Sequence, residues 1–486
     1  MKKKTKIIWL VISLVVFAII AFIPTPAALT GAGQIALAVT AMALVLWITE
    51  AVPYTVSATM IVGLLAVFMG LQPSLEDPTV TIGTKDALRQ ALSGFATPSL
   101  ALVAGGLFIA VAMEATGLHK RIAFIVLDKI GTKPRSLVLG VIIVSIILAL
   151  FVPSATARSG ALVPIVLGIV TALKADKKSN LMKMLLVTTV TSISIWNYGI
   201  KTAAAQNLLS LQFINDAFNV DISWIQWLIY GGPLAILMSI ALFIIAPRVF
   251  KVSEEEYVSD PNAIKKELHE LGPVTANEKK LMVYSLALLV LWSTEQLIHP
   301  IDSTTVTLFV FMLMLLPVIG VMGWKEVEKG TSWGTLITFG IGISLGTILL
   351  NSGAASWVSE NTLGAIGVQH LHPVMMTIVL SIASILIHLG FASATSLASV
   401  FMPIVIGLIL LNPDPNFNPV GIALLQAFVI SFGYILPVNA PQNMLAFGTG
   451  GYTAKDLMKV GIPITIVGVA LIAILALTYW QWVGLI

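Results

Sequence analysis

The chain is built from apolar stretches of roughly twenty residues separated by short polar turns. That length carries an α-helix across the ~30 Å hydrocarbon core of a bilayer. In lipid every backbone N–H and C=O must be satisfied internally, which leaves helices or closed barrels. The stretches are solid apolar runs, without the period-two alternation of barrel strands. Composition agrees: 57% of residues are hydrophobic and only 10% are charged, against about 25% charged in a soluble domain. The expected fold class is an all-α polytopic membrane protein.

The apolar pattern predicts about eleven transmembrane helices and two re-entrant hairpins. "MKKKTKIIWLVISLVVFAIIAFIP" reads as an uncleaved first helix over 6–24, its apolar run being slightly long for a signal peptide. Helices follow over 33–51, 54–72 and 97–116. The basic amphipathic piece "GLHKRIAFIVLDKIGTKPR" suits the interface plane. A hairpin over 136–173 breaks at Pro153-Ser154. The fifth helix, 181–218, is interrupted by "WNYGIKTAAAQN", and the sixth covers 224–247. A polar linker, 248–280, contains a short helix for which Asp260 suits the N-cap, Pro261 the first turn and Gly272 the stop. The second half has helices over 281–298, 303–322 and 333–352, then a hairpin over 373–412 breaking at Ser393. A tenth helix, 421–458, is interrupted at "PVNAPQN", and the last covers 461–484.

With the N-terminus cytoplasmic, 23 of the 27 lysines and arginines fall on the cytoplasmic side of this layout, as the positive-inside rule requires. The net charge of +4 therefore reports topology, and no nucleic-acid partner is implied. Arg158 and Lys201 alone fall within the membrane. The chain has no cysteine, which excludes disulfides and thiolate metal sites.

The two halves repeat. "SATARSGALVPIVLG" (154–168) aligns with "SATSLASVFMPIVIG" (393–407), identical at seven of fifteen positions. "AAQNLL" (204–209) aligns with "APQNML" (440–445), and "LWITE" (46–50) with "LWSTE" (291–295). Five helices lie between the hairpins, so the copies should run in opposite senses. Inverted repeats with broken helices belong to secondary transporters.

Irregular backbone at membrane depth survives only where protein buries it or water lines it. Ser154-Ala155-Thr156 and Ser393-Ala394-Thr395 each stand where a hairpin helix begins. Ser and Thr cap such ends, and free N–H groups there attract anions. Two such ends suit a molecule carrying a negative group at each end. Gln206, Asn207, Asn439, Gln442 and Asn443 are candidate wall residues, with backbone satisfaction as the structural alternative. Arg158 and Lys201 are candidate partners of the anion, since a basic residue at the bilayer centre costs about 2.5–3.5 kcal/mol on insertion scales. Snorkelling is the alternative for Arg158. His388 reads as a packed core histidine, and Glu50 and Glu295 as helix-end anchors.

These motifs resemble the divalent anion/sodium symporter family of dicarboxylate and citrate carriers, over essentially the whole chain. That family carries Ser-Asn-Thr at both hairpin tips and a loop ending in Asn in both broken helices. The resemblance implies a homodimer in the plasma membrane, with a scaffold and a transport domain that moves as an elevator. It divides the chain into first-repeat scaffold helices (1–116), a transport region (117–222), the sixth helix and linker (223–280), second-repeat scaffold helices (281–352), a second transport region (353–460) and the last helix (461–486). Both motif asparagines are replaced, by Ala155 and Ala394, and the first loop lacks its prolines. This is similar to the exchanger branch of 2-oxoglutarate/malate and citrate/succinate antiporters. The expected function is sodium-independent exchange of di- or tricarboxylates, with a sodium- or proton-coupled symporter as the alternative. No cofactor is implied. A membrane enzyme would need a nucleophile–base or metal cluster, whereas the histidines are dispersed and no H-E-x-x-H occurs.

Overall fold

The computed structural model describes residues 3–74, 77–258, 260, 262–414 and 417–486. Helix α1 (Lys3–Phe22) precedes the repeat. The first half contains α2 (Gly31–Thr49), α3 (Tyr54–Leu64, continued by a π-helical turn at Leu65–Met69), α4 (Thr84–Ala91), α5 (Pro98–Thr116) and α6 (Leu118–Ile130). It continues with α7 (Pro134–Phe151), α8 (Ala155–Ala172), α9 (Asn180–Gly199), α10 (Ala205–Phe218) and α11 (Trp224–Val249). The linker carries α12 (Ala263–Glu270). The second half contains α13 (Ala276–Thr294), α14 (Ser303–Leu315), α15 (Trp324–Gly330), α16 (Trp333–Asn351) and α17 (Ala354–Asn361). It ends with α18 (Pro373–His388), α19 (Ala394–Ile409), α20 (Pro419–Val429), α21 (Pro441–Phe447), α22 (Ala454–Leu477) and a final turn, α23 (Tyr479–Trp482). No named strand occurs among the described residues.

Helices α2 to α11 recur in order as α13 to α22. The minor elements recur too: α4 matches α15, and α6 matches α17. Eight described helices are long and apolar enough to cross a membrane, and shorter apolar helices make up the hairpin and broken-helix arms. α1 carries a belt of exposed Ile7, Ile8, Val11, Val15 and Ile19, which in a membrane protein faces lipid.

Several boundaries move from the sequence expectation, each for a local reason. The fifth helix stays helical through Gly199 and breaks only over residues 200–204, around a 3-10 turn at Lys201–Ala203. The tenth is broken over a longer span, from residue 430 to 440, and Pro437 and Pro441 each open the helical turn that follows, where no N–H is required. It ends at Phe447, and α22 begins at Ala454 behind a Thr453–Asp456 capping box, in place of the expected 461. α14 stops at Leu315, short of 322, because Pro317 holds Leu316 extended. In the linker helix the N-cap position belongs to Asn262, and Asp260 accepts from the Asn262 N–H; Pro261 lies outside the described residues.

Packing interlocks the halves. α8 of the first hairpin lies on α21 of the second broken helix, and α19 of the second hairpin lies on α10 of the first. A separate apolar cluster joins α1, α2 and α3 to α16 and α17 through Met42, Ile61, Ile341 and Leu345.

Candidate functional site

The hairpin tips are built alike. Ser154 and Ser393 stand at the N-caps of α8 and α19 in extended backbone, each accepting the N–H three residues on, from Ala157 (3.2 Å) and Ser396 (3.3 Å). The first helical N–H groups, at residues 155–156 and 394–395, have no acceptor within their own helix. Both tips line one cavity of about 1000 Å³, which Gln206, Gln442, Asn197, Ser431 and His388 also line. Glu50, Tyr54, Glu114 and Thr335, where α2 and α5 end and α3 and α16 begin, line it too.

Of the residues singled out in the sequence, Ser154, Ala155, Thr156, Gln206, Ser393, Ala394, Thr395 and Gln442 line this cavity. The glutamines bridge the halves. Gln206 Nε2 donates to Ser431 Oγ (3.1 Å) and Gln442 Nε2 to Ser194 Oγ (3.0 Å). Ser194 spends its own proton on the Val190 carbonyl, so Gln442 must offer its NH2 there. The Gln442 amide oxygen remains as the acceptor it presents to the cavity.

Asn207, Asn443 and Asn439 are not among the cavity-lining residues. Asn207 Nδ2 donates to the carbonyls of Asn197 (2.6 Å), Ile200 (3.1 Å) and Lys201 (3.3 Å). Asn443 Nδ2 does the same for Gly433 (2.8 Å) and Leu436 (3.3 Å). Each asparagine satisfies carbonyls that its helix break sets free, which buried backbone demands. Asn439 closes the second 3-10 turn by accepting from the Leu436 N–H, and its amide donates to the His388 and Phe391 carbonyls. The expectation of direct wall positions for these three is corrected by this geometry.

The two cations singled out in the sequence, Arg158 and Lys201, are also not among the cavity-lining residues. Arg158 is fully buried; its Nη2 donates to Asn197 Oδ1 (2.5 Å) and to the Ala203 carbonyl (2.9 Å). Its Nε and Nη1 have no partner among the described residues, and no described carboxylate pairs with it. Lys201 turns the other way and donates to the Ile222 carbonyl at 2.7 Å, with Glu295, Asp221 and Asp302 as the nearby carboxylates. Glu295 accepts the Ser303 N–H and hydroxyl at the start of α14, as an anchor should.

His388, read from sequence as a core residue, is both packed and cavity-lining. Its Nε2 lies 3.0 Å from the Asn439 carbonyl, which only accepts, so that nitrogen carries the proton. Ala203 and Asn439 are the last residues of corresponding 3-10 turns, which their N–H groups close onto the Ile200 and Leu436 carbonyls. A hairpin side chain caps the carbonyls of Ala203 and Asn439 themselves: Arg158 in the first half and His388 in the second. Asn197 was missed. Its place ten residues before Asn207 was the available signal, and "WNYG" gave no hint that its side chain leaves the helix toward Arg158.

The fold and the polar cavity enclosed by broken helices define a multi-pass membrane transporter. The chain belongs to the divalent anion/sodium symporter family: the family model described as "Sodium:sulfate symporter transmembrane region" matches residues 4–486. The family consists of transporters and not enzymes. A "membrane protein" of Cupriavidus necator is 46% identical over 95% of this chain and 90% of its own. A sodium-dependent dicarboxylate transporter, SdcS, of Staphylococcus saprophyticus is 26% identical over 96% of this chain and 90% of its own. A citrate/succinate antiporter of Escherichia coli is 27% identical over 84% and 82%. The solved YdaH transporter of Alcanivorax borkumensis shares the fold, with a TM-score of 0.55 over 87% of this chain and 97% of its own at 13% identity.

Proposed function

We propose that the chain exchanges C4/C5 dicarboxylates, or tricarboxylates, by sodium-independent obligatory antiport. The observation that carries this reading is Arg158, fully buried beside the first tip with no carboxylate partner among the described residues. A carboxylate of the substrate supplies the missing negative charge. The facing N-termini of α8 and α19, with Ser154, Thr156, Ser393 and Thr395 in one cavity, suit a molecule with an anionic group at each end. The citrate/succinate and the tartrate/succinate antiporter relatives agree with that substrate class.

Exchange follows from the charge. A sodium-coupled carrier releases its cations and returns neutral. Arg158 stays charged, because a guanidinium is not deprotonated in proteins. Moving it without a counter-anion leaves an uncompensated buried charge, at a cost of about 3–5 kcal/mol. At about 4 kcal/mol the empty return slows roughly a thousandfold. Lys201, held by the Ile222 carbonyl, does not line the cavity.

The movement is an elevator of two inverted repeats. Hairpins and broken helices pack on one another and carry the polar groups, while α2, α3, α5 and α16 supply a wall they slide past. With the N-terminus cytoplasmic, the end of the cavity lined by exposed Glu50 and Glu114 faces the cytoplasm. Two copies assemble through their scaffold helices in the plasma membrane. In proteoliposomes, labelled succinate or citrate should enter only vesicles preloaded with a di- or tricarboxylate. Sodium-driven uptake into empty vesicles would support the symport alternative instead.

A further inference from the structure

We propose that Arg158 acts on the substrate through Asn197, whose amide N–H groups form the carboxylate contact at the first tip. This rests on the diacid reading above and assigns it a residue. A guanidinium only donates, so the 2.5 Å bond fixes Asn197 with Oδ1 toward Arg158. The opposite nitrogen, Nδ2, has no partner among the described residues and is not an enclosed, unsatisfied atom. Asn197 is 2% exposed and lines the cavity, so the Nδ2 amide is the face it shows there. That face offers only donors.

Asn197 is therefore a relay. Arg158 contributes no surface to the cavity, yet its charge pulls on the amide oxygen and strengthens the N–H groups on the far side. An anionic oxygen gains from such a donor; a hydroxyl or an amide N–H offered by a substrate does not gain equally. The second half is built differently. The position equivalent to Asn197, 236 residues on, is Gly433. A Cβ there would stand 3.0 Å from the His388 ring, so the imidazole takes the space a side chain would need. The first tip thus has a charge-backed amide beside it that the second lacks, where the His388 N–H is held by the Asn439 carbonyl. The first is the end that demands an ionised carboxylate.

The test uses the full-length protein in proteoliposomes loaded with succinate. Asn197→Asp keeps the size and the bond to Arg158 but turns the donor face into an oxygen. The KM for external succinate should rise at least tenfold, and the preference for succinate over its mono-amide, succinamate, should shrink or invert. Arg158→Lys, with Asn197 intact, should raise KM in the same direction, and combining it with Asn197→Asp should add less than the product of the two effects. In detergent, succinate should raise the Tm of the wild type and fail to raise that of Asn197→Asp. A KM within twofold of wild type and an unchanged succinate-to-succinamate ratio would overturn this inference alone. A wild type that exchanges neither succinate nor citrate would overturn the diacid reading with it.

Discussion

Asn207 and Asn443 do one job twice, and their neighbours show how little separates a binding amide from a structural one. Each holds the carbonyls of its own broken helix. An unsatisfied buried polar group costs about 1–3 kcal/mol. Asn443→Ala frees the carbonyls of Gly433 and Leu436 and is expected to destabilise by about 2–4 kcal/mol, read as a lower Tm without a selective rise in KM. Gln206 and Gln442, one residue earlier, do reach the cavity. The sequence shows four amides in two apolar segments but not their directions. A helix turns each residue by about 100°, so a shift of one position exchanges cavity for backbone. The same uncertainty covers Arg158 and Lys201. Both were legible as unusual charges, but their partners, Asn197 and Ile222, lie 39 and 21 positions away.

Among the elements, the tips were the most legible because their chemistry is local. Ser-Ala-Thr ahead of an apolar run, found twice, names an N-cap and its helix. Short interface helices α4, α15 and α17 were not read, because each is a few turns long and lies in polar sequence that also suits a loop. The late start given to α22 passed over the box from Thr453 to Asp456, where the Thr453 side chain caps the Asp456 N–H (3.2 Å). Close packing between elements is invisible to periodicity and readable from glycines. A Cβ on Gly461 would fall 2.1 Å from the Tyr434 carbonyl oxygen, where α22 crosses the second break. Gly461→Ala is expected to cost about 1–3 kcal/mol and to slow exchange. Gly168→Ala in α8 meets nothing within 4 Å and should be neutral or stabilising by up to about 1 kcal/mol. Thermal melting of the pair separates these outcomes.

Across the whole molecule, the linker joins the halves through a buried ion pair. Arg121 of α6 donates to Glu278 Oε1 at 2.7 Å, and their side chains are 7% and 4% exposed. Arg121 also holds the carbonyls of Leu271, Gly272 and Pro273 at the end of the linker. Glu278 in turn accepts the Thr275 N–H at the start of α13. Glu278→Ala leaves a buried guanidinium without its carboxylate and removes a cap. A loss of about 3–5 kcal/mol is expected, measured as a drop in Tm; Glu278→Gln, which keeps an acceptor, should lose less. The cap is legible as the Thr275-x-x-Glu278 box, but the ion pair is not, since its partners are 157 positions apart.

The central claim is that a cation fixed at the first tip commits the carrier to exchange. Its most direct test is succinate uptake into proteoliposomes, with internal succinate present or absent and external sodium present or replaced by choline. Uptake should require internal succinate and be equal with either cation. Accumulation in succinate-free vesicles driven by a sodium gradient would contradict the claim.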